Sequence, residues 1–252
     1  MSDLLVLCYH AVSSTWPAAL SVTPHALETQ LGCLAARGYK GARFTDAITN
    51  PRPGRTVAIT FDDSYRSVLE QAKPILDRHG FPGTLYVPTD WVGDSRPMCW
   101  AGIDHWLGTE HEPELHSLGW DELRALADAG WEIGSHTCSH PHLPQVDDAT
   151  LAHELEDSKA AIEAELGRPC TSLAYPYGAM DERVRRAAAA AGYAGAGTIP
   201  RILYPPAPLM WPRTPIFHVD TPSRFRLKVS RTVRRLRARP RVAALAIRLG
   251  WP

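Results

Sequence analysis

Short apolar runs of strand type alternate with stretches of helical periodicity along most of this chain, and that alternation limits the fold more than any other feature. Residues 4–9, 57–61, 84–87, 131–133 and 172–174 read as buried strands, with weaker candidates at 41–44, 193–196 and 214–217. Between them, Thr23-Pro24 opens a helix to about residue 37, with Leu27, Leu31 and Leu34 on one face. Further helices are expected over 65–79, 120–129, 148–166 and 181–191, stopped by Gly80, Gly130, Gly167 and Gly192. Strands and helices alternating at this spacing imply an α/β fold with a largely parallel sheet, open or closed into a barrel. The 252 residues suit one large domain, and a hydrophobic share of 44% supplies a core and excludes a disordered chain.

Against that frame, Thr60-Phe61-Asp62-Asp63 stands out, because two carboxylates sit side by side where a buried strand opens into a loop. Adjacent buried carboxylates are costly unless a cation holds them. A divalent metal would take one as a ligand and leave the other as a base; the plainer alternative is that Asp62 or Asp63 caps the next helix. Three other segments follow strands, where parallel α/β folds place their sites: His10, the run from Gly134 to His142, and Tyr175-Pro176-Tyr177-Gly178. His136 and His140 are four apart, so in a helical turn both imidazoles would lie on one face and could chelate one ion. One Asp and two His make an N2O ligand set suited to zinc and other divalent transition metals. His142, after Pro141, is expected to pack or hydrogen-bond the loop. The remaining histidines (His25, His79, His105, His111, His116 and His153) read as surface or packing residues.

Thr60-Phe61-Asp62-Asp63, His136-Thr137-Cys138-Ser139-His140 and Ala174-Tyr175-Pro176-Tyr177 together resemble, in order and spacing, three motifs of the polysaccharide deacetylase family, carbohydrate esterase family four. The likeness covers roughly residues 4–220. It implies a distorted (β/α) barrel of the polysaccharide deacetylase type and metal-dependent removal of an N-acetyl or O-acetyl group from a saccharide. Carried over by position, it implies Asp62 as general base, Asp63, His136 and His140 as metal ligands, and the Tyr177 backbone N–H as an oxyanion donor. Two other outcomes stay open: a non-sugar amide hydrolase of the same superfamily, and a saccharide-binding protein without catalysis.

The sequence departs from the family where its third motif usually begins with an Arg that orients the catalytic Asp, since that position is Ala174. In this it resembles the poly-N-acetylglucosamine deacetylase branch, which also has an N-terminal Tyr-His element matched by Tyr9-His10. The resemblance makes His10 the acid that protonates the leaving amine, with His218, in the looser match Ile216-Phe217-His218, as the alternative. Arg213, in Trp211-Pro212-Arg213, is the candidate to replace the missing arginine.

The charge is unevenly spread. Lys+Arg and Asp+Glu both number 27, yet ten of the cations and none of the acids fall between residues 224 and 252, so residues 1–223 carry a net charge of −10. We therefore divide the chain into a catalytic domain over 1–222 and a basic amphipathic helical tail over 223–252. The tail reads either as a segment for the cytoplasmic leaflet of a membrane, bringing the protein to a lipid-linked or membrane-proximal acetylated saccharide, or as a solvated helix on the barrel. No motif points to nucleic acid. Five widely spaced cysteines without a CxxC pair, and no signal-peptide pattern, lead to the expectation of a cytoplasmic protein with reduced thiols. Residues 89–119 form an irregular insertion whose Trp91, Trp100 and Trp106 either stack on sugar or pack the loop down.

Overall fold

The period-two alternation of strands divides this protein's apolar residues between two cores. The computed structural model describes residues 3–200 and 206–237. In β1 (Asp3–Tyr9) and β5 (Arg55–Phe61), Leu5, Leu7, Tyr9, Val57, Ile59 and Phe61 join the main core, while the intervening Val6 and Ala58 join a second, smaller cluster. Strands buried on both faces are the mark of a parallel sheet covered by helices. The others are β6 (Gly83–Val87), β7 (Glu132–Ser135), β8 (Ser172–Ala174), β9 (Gly195–Thr198), β10 (Trp211–Pro212) and β11 (Thr214–Pro215). They pair in parallel in the order β10-β9-β8-β7-β6-β5-β1-β11, a nearly closed distorted barrel of eight strands. Short parallel pairs are made by β2 (Ala11–Val12) with β3 (Ser21–Val22), and by β4 (Lys40–Gly41) with β5.

The barrel's two edges meet in one stretch of chain. β10 pairs with β9 at one edge and β11 with β1 at the other, and only Arg213 lies between them. Its N–H donates to the carbonyl of Thr198 on one side, and three residues later the N–H of Ile216 donates to Cys8 on the other. Pro212 and Pro215 flank the junction and withhold the donors that would continue a single ladder. Arg213 is thus the seam.

Helices α1 (Pro24–Ala36), α3 (Lys73–His79), α4 (Trp120–Asp128), α5 (Asp148–Leu166) and α6 (Glu182–Ala190) fall close to the expected spans, α1 and α5 capped by Thr23 and Asp147. One expectation needs correction. The strand proposed at 41–44 ends at Gly41, and the chain turns into a short helix, α2 (Phe44–Thr49). Tertiary partners decide this: the Phe44 N–H donates to Thr84 Oγ1 and the Thr45 N–H to Glu132, which seats Phe44 edge-on against Tyr86 at 5.9 Å. With Ala47 it meets Val6, Ala58, Tyr86 and Ala174 in the second cluster, against the inner side of the sheet. The helix expected over 65–79 is present from Arg66 to His79, with one irregular turn inside it. Tyr65 is held in a bridge to Ser117, and Val68–Ala72 form a π turn before α3, because Pro74 cannot donate to the preceding turn.

After β11 the chain enters α7 (Pro222–Lys228), capped by Thr221, and α8 (Arg231–Arg237). Phe225 and Val229 are buried in the main core, Lys228 pairs with Asp220 at 2.6 Å, and Arg234 pairs with Asp3 at 2.6 Å. The boundary drawn at 223 therefore cuts through a helix that is packed on the barrel; residues 238–252 lie outside the described residues. No described helix is long and apolar enough to cross a membrane.

Phe44 fills the space inside the strands, so its truncation leaves a cavity. Phe44→Ala is expected to destabilise the fold by about 3–5 kcal/mol in urea unfolding, and Phe44→Leu by much less.

Candidate active site

Every strand of the barrel points the same way, so the loops at their C-terminal ends gather at one mouth. Asp62-Asp63 follow β5, His136 to His140 follow β7, and Tyr175 to Gly178 follow β8. Among the described residues, the non-glycine residues with positive φ are Asp63, Ser64, Thr137, His140 and Tyr177, all in these three loops. Each such conformation costs on the order of 1–3 kcal/mol and persists only where the surroundings enforce it.

The enforcing contacts are visible. The Asp62 N–H extends the ladder to the Tyr9 carbonyl; the chain then reverses through Asp63 and Ser64, pinned by Ser64 Oγ against Ser117 Oγ at 2.6 Å. Neither aspartate caps a helix, since the helical residues begin at Arg66, after Tyr65 in its bridge to Ser117. In the histidine loop, the buried Glu154 of α5 accepts from the N–H groups of Cys138 and Ser139 and from Ser139 Oγ. That carboxylate, with left-handed residues on either side, replaces the helical turn expected for His136 and His140. The two imidazoles still converge, their rings 4.8 Å apart.

Asp63 Oδ1 lies 3.3 Å from His136 Nε2 and 3.5 Å from His140 Nε2, and all three side chains are buried. Donors on a tetrahedral ion at bond lengths of 2.0–2.2 Å stand roughly 3.3–3.6 Å apart, so the spacing fits. Asp63 Oδ1 has no hydrogen-bond donor, an expensive omission for a buried carboxylate oxygen unless a cation supplies the partner. His136 Nδ1 sits 2.7 Å from the Ala174 carbonyl, which fixes the proton on that nitrogen and leaves Nε2 as a ligand. The residues present fit a divalent transition metal.

His140 is held differently. Its Nδ1 is buried without a partner, and the ring instead stacks on Trp100 at 4.2 Å and meets the Tyr177 ring edge-on at 4.7 Å. Burial pulls its pKa down to about 3 against the opposing pull of Asp63, keeping the imidazole neutral. Burial also disfavours the charged form of His136, but the negative charges of Asp62 and Asp63 outweigh it and raise its pKa.

Asp62 has a separate set of partners. Arg213, wholly buried, donates Nη1 to Oδ1 at 2.6 Å and Nη2 to Oδ2 at 2.8 Å, and the same Nη1 reaches Thr60 Oγ1 at 3.1 Å. The arginine missing at Ala174 is thus supplied from the seam. Space for it comes from neighbours on β8 and β9: Ala174 is small, and a Cβ on its partner Gly197 would lie 2.6 Å from Arg213 Cδ. Burial would raise the Asp62 pKa, yet the Arg213 cation, helped by His136 and His10, holds it well below the usual carboxylate range. Asp63 is lowered too, its burial outweighed by the pull of His136 beside it and of the other histidines.

His10 stands 4.0 Å from Asp62 Oδ2 with part of its ring exposed. His218 lies against the loop before β3, its Nδ1 3.1 Å from the Ser21 carbonyl, and among the described residues no ion pair or hydrogen bond joins it to either aspartate. Tyr177 takes a left-handed φ of 59° and stacks on His142 at 3.8 Å, so His142 packs the loop. Of the insertion's tryptophans, Trp91 meets Trp100, Trp106 meets Trp16, and Trp100 alone touches a candidate ligand. Cys8, read in the sequence only as a reduced thiol, directs Sγ to Asp62 Oδ2 at 3.4 Å. Its position two residues before His10, on the same side of β1, was the available signal.

Residues 49–196 match the family profile described as polysaccharide deacetylase. YxkH of Bacillus subtilis (strain 168) is 27% identical over 197 residues, covering 76% of this chain and 63% of its own length. A poly-β-1,6-N-acetyl-D-glucosamine N-deacetylase of Staphylococcus aureus is 27% identical over 175 residues, covering 64% of this chain and 55% of that one. The chain thus matches less than two thirds of the length of these curated relatives. Among solved structures, a Streptococcus pyogenes deacetylase, PplD, in complex with acetate superposes with a TM-score of 0.72 at 22% identity, over 90% of this chain and 98% of that one. IcaB from Ammonifex degensii superposes at 0.68 and 21%, over 98% and 97%. At such identities the likeness to solved structures is one of fold.

Gly197→Ala is expected to displace Arg213 and weaken its hold on Asp62. Losing a cation's support raises a carboxyl pKa, so the Asp62 titration, followed by carbon NMR, should move to higher pH. Trp100→Ala should loosen His140 and weaken Co(II) binding, read from its visible absorption, by about 10–100-fold, with Trp100→Phe restoring most of it.

Proposed function

The chain belongs to the polysaccharide deacetylase family, and on that premise we propose that it is a metal-dependent hydrolase that removes an N-acetyl or O-acetyl group from a saccharide. One observation carries the reading: two neighbouring aspartates have unlike surroundings. Asp63 faces two imidazole nitrogens and lacks a donor of its own, whereas Asp62 is clamped by a guanidinium and faces a partly exposed histidine.

Asp63, His136 and His140 would hold the ion, with zinc the first choice for an N2O set. When bound, the metal polarises the acetyl carbonyl and lowers the pKa of the attacking water, which offsets the weak basicity of a carboxylate held as low as that of Asp62. Asp62 then accepts the proton of that water, its lone pair aimed by the two bonds from Arg213. The C–O bond forms, and the oxyanion of the tetrahedral species is met by the backbone N–H of Tyr177. As the C–N bond breaks, His10, 4.0 Å from Asp62, passes a proton to the departing amine, and acetate and a free amino sugar leave. The Staphylococcus aureus relative is a poly-β-1,6-N-acetyl-D-glucosamine N-deacetylase, which together with Tyr9-His10 and Ala174 makes N-acetylglucosamine oligomers the first saccharides to test.

Acetate release from such oligomers should vanish on chelation and return with Zn(II) or Co(II). Asp62→Asn and His10→Ala should each lower kcat by about 10²–10⁴-fold, with His218→Ala near the unmodified protein. The reverse order for the two histidines would reassign the acid to His218. Metal-loaded, folded protein that frees no acetate from any acetylated saccharide would end the proposal.

A further inference from the structure

The end of the barrel opposite the mouth carries a feature that deacetylation does not use. An open cavity of about 620 Å³ lies where β1 and β5 begin, α1 ends and α7 passes into α8. Arg37, Arg55, Arg226 and Arg231 line it, with Asp3 as the one acid on its wall. Asp3 is already taken, by Arg234 at 2.6 Å and by the Tyr39 hydroxyl at 2.9 Å. Arg55 is partly engaged, donating to the Arg37 carbonyl at 2.6 Å and lying over the Tyr39 ring. The side chains of Arg37, Arg226 and Arg231 make no ion pair among the described residues, and Arg231 Nη2 is buried with no acceptor.

Like charges gathered round a concavity repel unless an anion joins them, and a buried guanidinium N–H without an acceptor is costly. Planar guanidinium forks suit phosphate oxygens, which accept two parallel bonds from each. We propose that this cavity is a phosphate-binding site, taking a mono- or diphosphate group on Arg37, Arg226 and Arg231. The phosphate could come as a free anion or as a lipid headgroup. Leu227, exposed on the same wall, favours the headgroup, because an apolar side chain beside cations suits a bilayer surface. β1 spans seven residues, so the site lies roughly 20 Å from the mouth. A membrane held there would leave the catalytic mouth facing away from the lipid.

The test uses the full chain and two variants, Arg37→Gln/Arg226→Gln/Arg231→Gln and the single Arg226→Glu at an exposed, unbonded position, each checked for an unchanged circular dichroism spectrum. Calorimetry with inorganic phosphate and diphosphate forms one arm; sedimentation with phosphatidylcholine vesicles, with and without phosphatidic acid, forms the other. Binding in either arm that falls at least tenfold in both variants supports the site, and the arm that shows it identifies the source. Both variants keep every arginine from 234 to 248, so diffuse attraction by the tail would survive the substitutions. Binding equal to that of the unmodified protein, or none in either arm, overturns the proposal.

Discussion

A buried guanidinium gripping a buried carboxylate ties the closure of this barrel to its chemistry. The backbone of Arg213 joins the two sheet edges, and its side chain is the one that clamps Asp62. Removing both ions from water costs several kcal/mol each, and apolar replacements of such pairs are often no less stable. Stability alone therefore does not account for the pair. Its effect is on Asp62, which stays ionised and held in one orientation while Asp63, next in the chain, points its oxygen at two imidazoles. Small residues at Ala174 and Gly197 belong to the same arrangement, since they leave the volume through which Arg213 passes.

Around that pair the mouth is built from backbone that resists its own conformation. Left-handed residues in three loops are held by contacts from elsewhere: Ser117 on the first loop, Glu154 on the second, and the His142 ring on the third. The irregular insertion contributes Trp100, which orients His140 by stacking where His136 is oriented by a carbonyl. The insertion is thus packed down, and through Trp100 it also supports the site.

The two ends of the barrel have opposite electrostatic character. Carboxylates and imidazoles gather at the C-terminal ends of the strands, while arginines from α1, β5, α7 and α8 gather at the other. The basic segment after residue 222 is not detached in its described part, because Phe225 and Val229 enter the core and Lys228 and Arg234 are paired. What distinguishes it is Arg226 and Arg231, which make no ion pair among the described residues.

Much of this was legible in the residues. Strand and helix spans such as Ser172–Ala174 and Asp148–Leu166 followed from apolar periodicity and cap residues, which are local properties of the chain. That one aspartate would join His136 and His140 could be anticipated from residue types, while the choice of Asp63, and of Arg213 as a candidate, came from the resemblance to the family. Other features had no local signal. The turn into α2 at Phe44 was set by Thr84 and Glu132, 40 and 87 residues away. The loop that joins His136 to His140 is no helical turn, because Glu154 captures its backbone N–H groups. Cys8, Gly197 and Trp100 gained their places only when distant strands and the insertion were brought together. By itself the sequence determined most of the strands and helices and which side chains carry charge or metal affinity, since those depend on neighbours in the chain. Tertiary structure alone decided that one arginine would both close the barrel and hold Asp62, because both jobs depend on where β1, β9 and Asp62, which lies 151 residues before Arg213, come to meet.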